Sequence, residues 1–345
     1  MAEGRAIPFI MATGKLQYEI TEEAKEFLNS IDEPLGIIAI CGKYRTGKSY
    51  FVNHMLLDLP PHAGFGVGPT INPCTKGVWI WTELTDTVNE WGEPLKVLVV
   101  DTEGLGAYDE DQNHDTRIFL LALLLSSYFV FNSMGSIDEN AIQSLSLIIN
   151  LSKKLASEDP GNEEDVARYF PSFLWILRDF SLQLKDHSGH PITLMQYFEN
   201  SLMPTKGMSE AAEQKNRVRR LIKHYFKERE CFSFVRPVEN ETDLQDLESS
   251  AHLLRPEFKQ QVLDLRKVAF GKIRTKKING TEVNGPNFCA LAESYVDAIN
   301  KGGVPNIESS WIWMCRNENE KIIEALANEY SKNFWEEVGK LPVDD

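Results

Sequence analysis

The sequence predicts an α/β protein, a mostly parallel central sheet with helices on both faces, followed by the start of a helical region. Three observations carry this expectation. Short apolar runs alternate with amphipathic stretches along most of the chain. Gly42 to Ser49 reads Gly-Lys-Tyr-Arg-Thr-Gly-Lys-Ser, which fits G-x-x-x-x-G-K-[ST] and directly follows one of those runs. A second run, residues 96–100, leads straight into Asp101-Thr102-Glu103-Gly104.

Taken in order, the apolar runs at 35–41, 77–82, 96–100, 127–132, 173–177 and 231–235 read as strands. Sheets of this kind place ligands at the carboxyl ends of their strands. After the first run, Gly42 and Gly47 let the backbone N–H groups of Lys43, Tyr44, Arg45 and Thr46 turn inward around phosphate oxygens. A helix beginning near Gly47, with Tyr50, Phe51, Met55 and Leu56 on it, aims its positive end at the same anion. Lys48 is placed to reach the outer phosphates and Ser49 to ligate Mg²⁺. Residues 60–76 hold Pro60, Pro61, Gly64, Gly66, Gly68, Pro69 and Pro73, so they read as a long loop beside the phosphates. Asp101, at the end of its strand, is expected to face Mg²⁺ through water, and the Gly104 N–H to meet the terminal phosphate. Residue 105 is Leu, so a glutamine that would orient water there is absent. The acidic 157–165 stretch reads as a solvated loop, the basic run from Lys215 to Arg220 as a solvated helix face, and 308–337 as a helix that needs something to pack on.

Composition excludes several classes. With 345 residues and 42% hydrophobic content the chain can bury one large core. A net charge of −15 argues against sequence-independent nucleic-acid binding, since a phosphate polymer is repelled over most of the surface. Five cysteines, scattered and without C-x-x-C spacing, indicate neither a disulfide framework nor a zinc site and fit a reducing, cytoplasmic setting. His187 and His190 flank a surface turn rather than a metal. No stretch reads as a signal peptide or a membrane span.

Arg178-Asp179 follows the run 173–177, and a carboxylate there can accept both N–H groups of a guanine's Watson–Crick edge. Together with Tyr44 to Tyr50, Pro73-Cys74-Thr75-Lys76-Gly77-Val78-Trp79, Asp101 to Gly104, the run from Cys231 to Val238 and Val283-Asn284-Gly285-Pro286, this chain closely resembles the GTPase domain of the guanylate-binding proteins, dynamin-like large GTPases. The resemblance reaches to about residue 306, which sets an expected boundary between a large GTPase domain, 1–306, and the beginning of a helical middle domain, 307–345, part of a longer protein.

The resemblance implies a P-loop GTPase fold, GTP as substrate with Mg²⁺, and a homodimer formed through the nucleotide face. Lys48 and Ser49 would hold phosphate and Mg²⁺, and Thr75 would close as switch I on Mg²⁺ and the γ-phosphate. Asp101 and Glu103 would organise the second switch, Asp179 beside Arg178 would read guanine, and Arg236-Pro237 would lie in the loop that caps the base. Arg45 resembles the arginine that the family swings onto the transferring phosphate as a finger supplied in cis. Where members carry Ser two residues before the switch I threonine, this chain has Pro73, which offers neither hydroxyl nor N–H. Two alternatives follow: a GTP-binding switch or scaffold with little hydrolysis, and an atlastin-like membrane tether, which would need an anchor that no part of this sequence supplies. Membrane association in a longer protein, products running on to GMP, and a part in innate immunity are further implications of the resemblance.

Overall fold

The computed structural model describes residues 4–14, 17–67, 76–106, 112–146, 170–207, 209–245, 247–303, 305 and 307–338. The strands of its main sheet are β1 Ala6–Gly14, β2 Gln17–Ile20, β3 Leu35–Gly42, β4 Val78–Trp81, β5 Thr85–Val88, β6 Pro94–Thr102, β7 Tyr128–Met134, β8 Ser172–Arg178 and β9 Arg229–Ser233, and Lys277–Ile278 pairs with Thr281–Glu282 in a separate two-stranded sheet. The helices are α1 Glu22–Asn29, α2 Lys48–Tyr50 running into a π-helical Phe51–Leu56, α3 Gln112–Leu125, α4 Glu139–Ser144, α5 Leu194–Ser201, α6 Glu210–Tyr225, α7 Glu241–Gln245, α8 Pro256–Lys272, α9 Gly285–Asn300 and α10 Ile307–Val338.

The nine strands form one sheet in the order β2-β1-β4-β6-β3-β7-β8-β9, with β5 paired to β6. From β6 to β9 the pairing is parallel, while β4, β1, β2 and β5 run antiparallel at one side. The expected α/β sheet with helices on both faces is therefore present. All six expected strands occur with ends shifted by a few residues, and β1, β2 and β5 are additional.

Every residue of β3 is buried. Its Leu35, Ile37, Ala39 and Cys41 enter one apolar cluster and Ile38 and Ile40 the other, the period-two division of a sheet covered on both sides. α3 and α9 build the first layer, and α2 with α8 the second. Asn284 caps α9 by accepting from the Asn287 N–H at 3.0 Å, with Pro286 in the first turn. α10 seats Met314 against this body, but Ile312, Trp313, Ile322, Ile323, Leu326, Tyr330 and Trp335 stay exposed. Among the described residues no helix is long and apolar enough to cross a membrane. The basic face of α6 departs from the sequence expectation at Arg219, which is buried because Glu139 of α4 takes its guanidinium at 2.7 Å.

Candidate phosphate-binding site

The parallel strands β3, β6, β7 and β8 end side by side, and a polar residue stands at or just past each end. β3 delivers the chain into the loop 43–47. There Gly47, at φ 73°, sits in the left-handed conformation that starts α2 and lets the Gly47 carbonyl accept from the Phe51 N–H at 2.9 Å. Thr46 folds back to donate its hydroxyl to the Lys43 carbonyl at 2.7 Å, and Lys48 reaches the same oxygen at 3.2 Å. Lys48 is only 6% exposed, and burial lowers its pKa against the opposing charges of Asp101, Cys41 and Glu103. Tyr44 and Arg45 project outward. Arg45 has φ 59°, a conformation that costs a β-carbon-bearing residue about 1–2 kcal/mol.

Near the end of β6 stands the fully buried Asp101, whose Oδ2 accepts from the Ser49 hydroxyl at 2.6 Å. Beyond it the backbone turns across the phosphate loop: the Tyr44 N–H donates to the Leu105 carbonyl at 3.0 Å and the Leu105 N–H to the Gly42 carbonyl at 3.1 Å. The turn is possible because residue 104 is Gly, where a methyl group would stand 2.2 Å from Tyr44 Cα. Glu103, 5% exposed, faces the start of β4. Its N–H donates to the Gly77 carbonyl at 2.9 Å, its Oε2 accepts from the Gly77 N–H, and its Oε1 lies 2.7 Å from His114 Nε2.

From β7, Asn132 donates its amide to the Thr46 carbonyl at 2.9 Å and so fixes the loop from the other side. β8 ends at Arg178, whose guanidinium turns under the loop, where a methyl group at Gly47 would meet it at 3.7 Å, and lies 5.7 Å from the Phe234 ring centroid. Burial pushes the Arg178 pKa down to about 10, so it stays charged, with its Nε and Nη1 left without hydrogen-bond partners among the described residues. Asp179 follows with φ 55°, partly exposed at the strand end, a conformation Asp tolerates better than Arg. Past β9, Arg236 pairs with Glu241 at 2.5 Å, which holds its pKa above the ordinary value, and the Pro237 carbonyl accepts from the Arg255 N–H at 2.9 Å.

The structure thus brings together Gly42 to Tyr50, Asp101, Glu103, Gly104, Arg178 and Asp179, with Arg236 and Pro237 on the adjoining loop. Thr75, with Pro73 and Cys74, lies outside the described residues. The sequence reasoning passed over Asn132, His114 and Tyr18. Asn132 carried a signal, a polar side chain closing an apolar run, the same signal that marks Asp101 and Asp179.

A glycine-turned loop that fits G-x-x-x-x-G-K-[ST], a desolvated ammonium group and a hydroxyl–carboxylate pair beside it define a phosphate-binding-loop protein. Residues 15–278 match the family model for the guanylate-binding protein N-terminal domain, and residues 279–345 the one for the C-terminal domain. Guanylate-binding protein 6 of Homo sapiens is 37% identical over 338 residues, 95% of this chain and 52% of that one. Guanylate-binding protein 1 of Chlorocebus aethiops is 36% identical over 334 residues, 94% and 55% respectively. The chain belongs to the guanylate-binding protein family. It spans about half the length of the curated relatives it matches.

Proposed function

We propose that this chain binds GTP with Mg²⁺ and hydrolyses the γ-phosphate, as the GTPase part of a dynamin-like protein that pairs through its nucleotide face. The observation that carries the reading is the juxtaposition of Ser49 and Asp101 at 2.6 Å directly below the phosphate loop, with Asp179 closing β8 on the same side of the sheet. A half-buried hydroxyl and a buried carboxylate already in contact are a donor set that a hard divalent cation takes. Ser49 and Asp101, with Thr75, would hold Mg²⁺, which when bound neutralises charge on the phosphate oxygens.

The chain's own residues do the rest. The loop amides and Lys48 hold the phosphates, and the Arg178 charge beneath the loop adds to their field. The Asp179 carboxylate accepts from the two N–H groups on the guanine edge, a pairing adenine lacks. Hydrolysis forms a bond from water oxygen to the γ-phosphorus and breaks the bond to the β–γ bridging oxygen, releasing GDP and phosphate. With Leu at residue 105, the part of holding the attacking water falls in this reading to Glu103, buried beside the phosphate loop. Arg45, exposed and in a strained backbone, serves as the finger that meets the charge on the transferring phosphate, and the exposed Tyr44 beside it lies on the pairing face.

The test is chromatographic analysis of the products from GTP and Mg²⁺ at several protein concentrations. Turnover per molecule that rises with concentration supports hydrolysis assembled by pairing, and the products distinguish GDP from GMP. Tight binding with flat or absent turnover supports instead a switch or scaffold, the alternative that Pro73 raises.

A further inference from the structure

Glu103 is held from two directions by different parts of the fold. Gly77 at the start of β4 supplies an N–H to Oε2, and His114 in the first turns of α3 stands 2.7 Å from Oε1. Behind the imidazole, His114 Nδ1 lies 2.6 Å from the Tyr18 hydroxyl. The roles in this row follow once the ring is taken as neutral. An ionised carboxylate only accepts, so Nε2 carries the proton, Nδ1 of the neutral ring accepts, and the Tyr18 O–H donates. Tyr18 is itself clamped: its N–H donates to Asn300 Oδ1 at 2.9 Å, and Asn300 Nδ2 donates to its carbonyl at 2.8 Å. Glu103, His114 and Tyr18 are all under 8% exposed, so the row is shielded from water that would compete for its bonds.

Glu103 is also close enough to the phosphate cradle for its charge to act on Lys48. A glutamate at that place has several rotamers, and fixing one side chain of this type costs on the order of 1.5–2 kcal/mol. The row from Asn300 supplies that order before any nucleotide arrives. We propose that His114 is a positioning residue, which fixes the Glu103 carboxylate beside the phosphate loop without itself touching the nucleotide, with Tyr18 of β2 and Asn300 of α9 as its support. The proposal rests on the hydrolysis reading above and adds to it a residue from outside the nucleotide motifs.

The experiment compares wild type, His114→Ala, His114→Gln and Tyr18→Phe in the full chain. The readouts are kcat and KM for GTP with Mg²⁺, affinity for a non-hydrolysable GTP analogue, and thermal midpoint. Gln can donate to Glu103 and accept from Tyr18, so it keeps both bonds. The expected result is that His114→Ala lowers kcat about tenfold with analogue affinity kept within about twofold, and that His114→Gln restores most of the loss. Tyr18→Phe, which loosens the ring, falls between. Unchanged kcat in His114→Ala, or equal losses in the Ala and Gln variants that follow the thermal midpoint, overturns the proposal while leaving the hydrolysis reading intact. Should wild type not hydrolyse GTP, that reading fails, and the decision passes to ¹⁵N spectra of the histidine rings. A His114 Nε2 signal that moves when the analogue binds, and does not move in Glu103→Gln, supports the positioning role. A signal that ignores the analogue overturns it.

Discussion

Gly104 passes so close to Tyr44 that the turn after β6 and the phosphate loop share one surface, locked by the Tyr44 and Leu105 backbone bonds on either side. The atom that would clash is backbone, so no rotamer change relieves it. Gly104→Ala is therefore expected to separate the two segments, lowering stability by about 1–3 kcal/mol in denaturant unfolding. It should also weaken binding of a GTP analogue by more than about tenfold, because the loop amides lose their aim. Wild-type affinity in titration calorimetry would show that the two segments move independently.

Arg45 separates backbone strain from side-chain chemistry. Arg45→Ala should cut turnover at least about tenfold while GTP affinity is kept. Arg45→Gly should lose the same turnover yet unfold at higher denaturant than Arg45→Ala, since glycine removes a left-handed cost of about 1 kcal/mol. Steady-state kinetics beside unfolding curves of the two variants checks both halves.

Asp179→Asn tests base recognition. An asparagine amide offers one acceptor and one donor, which mismatches guanine's two N–H groups but matches xanthine, whose edge carries an N–H beside a carbonyl. Loss of a charge-assisted pair and one unmatched donor should weaken GTP binding by about 10²-fold or more, with xanthosine triphosphate gaining over wild type. Competition binding with both nucleotides reads this directly, and an unchanged preference would remove Asp179 from the base.

Lys276 is buried below the sheet, donating to the Ser126 carbonyl at 2.8 Å, and desolvation pushes its pKa down to about 7. Its folded value lies below the unfolded one, so the native state binds fewer protons between about pH 7 and 10 and wild-type stability rises with pH through that window. Below it the cost of the buried cation is fully present. Lys276→Met removes the charge, so its stability relative to wild type should be highest near pH 6 and fall by up to about 1.4 kcal/mol per pH unit above pH 7. Denaturant midpoints of both proteins at pH 6 and pH 9 measure the difference, and a difference independent of pH would contradict the desolvation argument.

What was legible in the sequence is what a short segment encodes alone. Gly42 to Ser49 states its chemistry in consecutive residues, and Asp101 and Asp179 announce themselves as acids ending apolar runs. β2 and β5 escaped because each is four residues long and only half-buried, leaving polar side chains in a pattern shared with loops. The row from Gly77 to Asn300 was invisible for a different reason. Its members come from β4, the turn after β6, α3, β2 and α9, and only the antiparallel pairing of Val78 with Thr102 brings Gly77 beside Glu103. Arg219 likewise looked like solvated charge until α4 supplied Glu139.

The burial of Lys48 and Arg178 has a consequence for how salt acts on anions that approach them. Outside, a chain of net charge −15 repels polyanions at long range, and salt screens that repulsion. Inside, the two cations are buried beside the phosphate loop, where salt screens little. The repulsion outside therefore weakens as salt rises while the attraction inside persists.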